Sequence, residues 1–97
     1  METETVEITD FGALPSAITR KPGPFILHLL NKTRVAPPDL DWAVSSGPAA
    51  QVANLKNAAD LTTFANLRRQ LSVIDVLPGQ YVLKSKTGKL FLTITIK

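Results

Sequence analysis

The sequence predicts an all-β fold, an antiparallel Greek-key β-sandwich of seven to eight strands with one optional short helix. Three observations carry this reading. Apolar and polar residues alternate with period two over residues 5–8, 40–44 and 92–96. Turn signals built on Pro, Gly and Ser separate such segments about every eight to twelve residues. The 97 residues, 44% hydrophobic and 20% charged, suit one modest core, so the chain is read as a single domain over 1–97.

Each element follows in order. Thr5-Val6-Glu7-Ile8 alternates as a strand, and Thr9-Asp10-Phe11-Gly12 reads as a bend. Pro15 discourages a helix, and residues 17–20 form a short strand candidate. Lys21-Pro22-Gly23-Pro24 is the strongest turn signal, since proline fixes φ and glycine supplies φ > 0. Phe25-Ile26-Leu27-His28-Leu29-Leu30 is nearly continuous apolar sequence, which suits a central strand covered on both faces. Pro37-Pro38 keeps the following stretch extended or in a loop. Leu40, Trp42 and Val44 share one side of the next strand, which Ser45-Ser46-Gly47-Pro48 closes. Residues 51–55 read as a strand. Leu61, Phe64 and Leu67 have helical spacing, so a short helix over 58–68 is an option against the β-branched Thr62 and Thr63. Residues 51–70 are the least determined part of the chain. Strand character returns over 69–76. Pro78-Gly79 makes a turn before a strand at 81–84, and Gly88 sits in a hairpin loop. In the final strand Leu92, Ile94 and Ile96 face one way, and Phe91, Thr93 and Thr95 the other.

Several of these segments resemble the cupredoxin-like sandwich family. The opening strand running into Ile8-Thr9-Asp10-Phe11 and then Leu14-Pro15-Ser16-Ala17-Ile18-Thr19 is similar to the family's first bend. Lys21-Pro22-Gly23-Pro24-Phe25 followed by Leu29-Leu30-Asn31-Lys32 resembles its glycine turn and the strand that ends in asparagine. Leu77-Pro78-Gly79-Gln80-Tyr81-Val82-Leu83 and the strand 92–96 resemble its closing elements. The resemblance implies a Greek-key sandwich. In the family it also implies copper held by a cysteine, two histidines and usually a weak axial methionine, most of them from the loop between the last two strands. Here that loop reads Lys84-Ser85-Lys86-Thr87-Gly88-Lys89, and the place of the upstream histidine offers Pro37, Pro38, Asp39, Leu40 and Asp41. No residue of this chain inherits a ligand role, so the fold is expected without copper.

Chemistry is constrained by what the chain lacks. There is no cysteine, which removes disulfides, thiolate metal sites and thiol nucleophiles, and one histidine, His28, which removes sites built from paired imidazoles. His28 reads as a sheet-face histidine bonded to a neighbour. Asp39 and Asp41 would point the same way along a strand and read as its wet face rather than an acid–base pair. Ser45 and Ser46 read as a turn, since a serine nucleophile needs a base. Trp42 reads as core, and Tyr81, after the Pro78-Gly79 turn, resembles a tyrosine corner. Arg68-Arg69 reads as solvated surface. Asn31-Lys32-Thr33 matches a glycosylation sequon, a triplet common by chance. No catalytic, cofactor-binding or metal-binding residues are assigned, no cofactor is expected, and the chain is not expected to be an enzyme.

The net charge is +3, with the basic residues spread along the chain, four acids in the first ten residues and four lysines near the end. That asymmetry suggests that the first and last strands attract one another as neighbours. Without interleaved aromatics, nucleic acid is not the expected partner. No apolar run is long enough to span a membrane. The compartment stays open: bacterial periplasmic or extracellular if Met1 replaces an export signal, otherwise cytoplasmic. Function is read as a non-catalytic binding or accessory module for a protein or glycan partner, working through loops. The alternative is a structural subunit, a homo-oligomer associating through the apolar C-terminal strand as an exposed edge.

Overall fold

A computed structural model describes residues 1–34, 40–59, 61 and 68–97. The elements run β1 (Thr3–Thr9), β2 (Gly12–Leu14), β3 (Ala17–Arg20), β4 (Phe25–Asn31), β5 (Leu40–Ser46), α1 (Gln51–Ala58), β6 (Arg69–Ile74), β7 (Gly79–Ser85) and β8 (Leu90–Ile96). The strands form two four-stranded sheets, one ordered β2-β1-β4-β6 and the other β3-β8-β7-β5. Most ladders are antiparallel, but β1 pairs parallel with β4 and β3 parallel with β8. Alternation specifies which side chains face inward; it does not specify strand direction, so these two pairings are not readable from it.

The inner faces make one core. Val6, Ile8, Phe25, Leu27, Leu29 and Ile74 come from the first sheet, and Trp42, Tyr81, Leu83, Leu92, Ile94 and Ile96 from the second. Each set occupies alternate positions of its strand, as period two requires. Trp42 is buried as expected, and its indole N–H donates to the Ala59 carbonyl at 3.1 Å. Tyr81 is fully buried, and its hydroxyl donates to the Leu77 carbonyl at 2.6 Å, tying the turn before β7 to the strand. This is the corner role that the sequence suggests.

Burial holds the Tyr81 phenol above its ordinary pKa. The folded chain therefore keeps a proton that the unfolded chain releases near pH 10. The resulting stability is fully present below about pH 10 and is lost as pH rises further. Tyr81 is the single tyrosine, so its ultraviolet titration should show a midpoint above that of the unfolded chain. Tyr81→Phe should cost about 1–2 kcal/mol at neutral pH and remove the tyrosine's share of the alkaline loss, read from urea unfolding at several pH values.

Several expectations are corrected. Residues 51–55 are not a strand but the start of α1. Val52, Leu55 and Ala59 recur at spacings of three and four and pack on the core, so the helical period wins over the β-branched start. The helix expected over 58–68 rests on residues 60 and 62–67, which lie outside the described residues, as does Asp39. The bend read at 9–12 is a turn, and the chain pairs back on β1 from Gly12 as β2, a strand that the sequence reading did not include. β4 is central but not covered on both faces: Phe25, Leu27 and Leu29 are buried, while Ile26, His28 and Leu30 are half-exposed. Phe91 does not face outward with Thr93. The ladder shifts register between Leu83 and Lys84, opposite the start of β8, and this places both Phe91 and Leu92 in the core.

The charge expectation fails for a topological reason. β1 and β8 lie in different sheets, so they are not neighbours. Two of the N-terminal acids, Glu2 and Glu4, pair with Arg20 instead: its guanidinium donates to Glu2 at 2.7 Å and Glu4 at 2.5 Å, over the Phe25 ring at 4.7 Å. The C-terminal strand is also not a free edge. β8 lies between β7 and β3, with Thr93 to Ile96 laddered to β3, so this strand does not offer the route to homo-oligomers expected of it.

Candidate functional site

One end of the sandwich brings together an exposed aromatic ring, an apolar hollow and several basic side chains. β1 and β4 run parallel and reach this end together, at the Asp10–Phe11 turn and at Asn31 to Arg34. The β7–β8 loop reaches it from the other sheet, since the Lys89 ammonium donates to the Asp10 carbonyl at 3.3 Å.

The sequence builds each part locally. Thr9 Oγ1 donates to the Gly12 carbonyl at 3.0 Å and accepts the Phe11 N–H at 3.1 Å. This closes the turn on its own backbone and leaves the Phe11 side chain outside, 91% exposed. Leu14 is also exposed. After β4, Asn31 Oδ1 accepts from the Thr33 N–H and hydroxyl, an Asx-type turn that bends the chain away from the ladder. The Arg34 N–H then donates to both Asp10 carboxylate oxygens at 3.0 and 3.1 Å, locking the β4 exit to the β1–β2 turn.

Between these two turns lies an open hollow of about 640 Å³, lined by apolar atoms of Phe11, Ala13 and Leu14 and flanked by Lys32 and Arg34. Lys86 and Lys89 come from the β7–β8 loop, and the exposed Arg68 and Arg69 open β6 at the same end. Asp10 lies among them with its carboxylate holding the Arg34 N–H, and Glu7 stands in the same row as Arg69. The fold thus brings several of the basic residues to one end, while Arg20 and Lys21 lie at the other. Parallel β1 and β4 and the β7–β8 hairpin all turn at the basic end.

Among the described residues, the types with catalytic potential are not brought together. His28 lies mid-β4 on the outer sheet face, where its Nδ1 is 3.5 Å from Thr5 Oγ1. Asp41 accepts the Trp42 N–H at 2.9 Å and lies 3.7 Å from Lys56 Nζ. Ser45 and Ser46 end β5 at the far end of the molecule. Arg68 and Arg69 are exposed, as expected of solvated surface, but at the basic end.

The β7–β8 loop is where the resemblance places most of the copper ligands. The β7–β8 loop is closed by its own bonds: Gly88 N–H to the Ser85 carbonyl at 2.9 Å, Lys89 N–H to Ser85 Oγ at 3.0 Å, and Ser85 Oγ to Thr87 Oγ1 at 2.7 Å. It presents two lysine ammonium groups, which repel a cation, and the chain holds no thiolate. These residues do not fit the metal. Among the described residues no three His, Asp or Glu side chains are grouped as a metal site.

No family model matches the chain, and no curated protein sequence matches it. Solved structures do. The chain is similar to the oxidised form of plastocyanin from Dryopteris crassirhizoma, with a TM-score of 0.64 at 16% identity over 97% of this chain and 100% of that one. It is also similar to auracyanin B, with a TM-score of 0.50 at 13% identity over 99% of this chain and 88% of that one. At such identities the likeness is one of fold: the chain is an eight-stranded all-β sandwich of the cupredoxin-like fold.

Proposed function

We propose that the chain is a non-catalytic, copper-free binding or accessory module that takes a protein partner at the basic end of the sandwich. The observation that carries this is the exposed Phe11 on a 640 Å³ apolar hollow among Lys32, Arg34 and Lys89. A partner side chain seated in the hollow gains from apolar burial, and carboxylates around it meet the basic rim. Rim charges of this kind steer association and make it sensitive to salt. The turn that presents Phe11 is closed by the Thr9 hydroxyl, which bonds the backbone on both sides of it, so little conformational freedom is lost on binding.

The test compares proteins retained by the immobilised chain with those retained by Phe11→Ser, by Lys32→Glu/Arg34→Glu, and by Lys21→Glu at the opposite end. A retained protein should be lost, by at least about tenfold in affinity, with the first two variants and kept with the third. Its binding should weaken as salt rises. Retention indifferent to Phe11 and to the basic rim overturns the proposal. Loss from a sulfated-glycan column, rather than from a protein, would transfer the site to an anionic glycan.

A further inference from the structure

A second surface adjoins the basic end at Arg69 and extends away from it along the strands. The outer face of the β2-β1-β4-β6 sheet is not a plain wet face. Its residues fall in three rows across β1, β4 and β6: Thr3–Ile26–Val73, Thr5–His28–Leu71 and Glu7–Leu30–Arg69. Leu71 is 61% and Val73 51% exposed, next to the half-exposed Ile26 and Leu30. A soluble sheet normally carries polar residues at such positions.

The third row makes the face self-complementary. Glu7 and Arg69 have opposite charges, stand on either side of Leu30, and among the described residues are not joined to each other or to another charged group. A two-fold axis parallel to the strands, lying over β4, would place β1 of one copy over β6 of the other. Glu7 then meets Arg69 of the second copy, and Arg69 meets its Glu7, while Leu30, His28 and Ile26 each face their own counterparts. Stacked sheets pack in roughly this alignment, about 10 Å apart. An isologous interface requires such a pairing of one patch with itself.

We infer that two copies of this chain associate face to face through this sheet, with Glu7 and Arg69 paired across the axis. The face is three strands by five residues, about 14 by 17 Å, well under the ~800 Å² per partner of a stable interface. The dimer is therefore weak, and forms at high local concentration.

The test is a dilution series from about 1 mM to about 20 µM, read by sedimentation and by NMR, a range that brackets a weak dimer. The single histidine, His28, is at the proposed axis, so its ring signals report the interface directly. Concentration-dependent shifts should centre on His28, Leu30, Leu71 and Val73. Glu7→Arg alone and Arg69→Glu alone should each weaken association at least about fivefold, and the double swap should restore it. These side chains are outward-facing, so the variants keep the core. A mass that stays at 10.5 kDa throughout overturns the inference. So do shifts centred on Phe11 and Lys89, or a double swap no better than the single changes.

Discussion

Trp42→Ala should lower the free energy of unfolding by about 3–5 kcal/mol, as expected for truncating a buried tryptophan. The ring is 3% exposed between the inner faces, and its N–H holds the Ala59 carbonyl just beyond α1. Truncation opens a cavity and also removes the bond that ties the helix to β5. Small domains have about 5–15 kcal/mol in all, so this single change removes a large fraction of the stability. Trp42→Phe separates the two contributions: it keeps most of the volume and should cost about 1–2 kcal/mol for the lost hydrogen bond. Urea unfolding measures both. A loss under about 1 kcal/mol for the alanine variant would contradict the place of Trp42 in the core.

Gly79→Ala should be nearly as damaging, at about 2–3 kcal/mol, with no change in hydrophobic volume to explain it. A Cβ at this position would lie 2.7 Å from the Ser46 carbonyl oxygen and 3.2 Å from the Tyr81 hydroxyl. The first obstacle is backbone, so no rotamer change relieves it. The end of β5 has to part from the start of β7, and the Tyr81–Leu77 bond is strained in the process. The opposing Gly47 has φ +114°, a conformation that L side chains rarely adopt, so the contact is close from both sides. Thermal unfolding of Gly79→Ala beside Gln80→Ala tests the point. Equal, small losses would show that the two strand ends are not in close contact.

These effects show how unevenly the structure is written in the sequence. Strands with period two were legible, because alternation alone decides which residues turn inward: Leu40 and Trp42 in β5, or Ile94 and Ile96 in β8. The turns at Pro22-Gly23 and Pro78-Gly79 were legible through their residue chemistry. The helix over 51–58 was misread because Val52 and Leu55 fit either period over so short a window. Extending the count to Ala59 would have favoured the helix. Phe91 was misplaced because a register shift reverses the facing of a residue without changing its type.

The basic end was not legible at all as a candidate site. Lys32, Lys89 and Arg69 are far apart in sequence, and only the parallel pairing of β1 with β4 and the return of β7 into β8 bring them to one end. Phe11 gave no signal, because an aromatic residue in a bend reads the same whether it is tucked in or left outside. Arg20 was equally silent: its two carboxylate partners become neighbours only when β3 packs beside the N-terminus.

The measurement that tests the central reading most directly is photo-crosslinking from position 11, with a benzoyl-phenylalanine in place of Phe11 and the same group at Thr19, an exposed site on β3, as the control. The account predicts a cross-linked partner from position 11, reduced by added salt and by Lys32→Glu/Arg34→Glu, with none from position 19. A partner captured equally from both positions, or only from position 19, would contradict the assignment of this end as the binding surface.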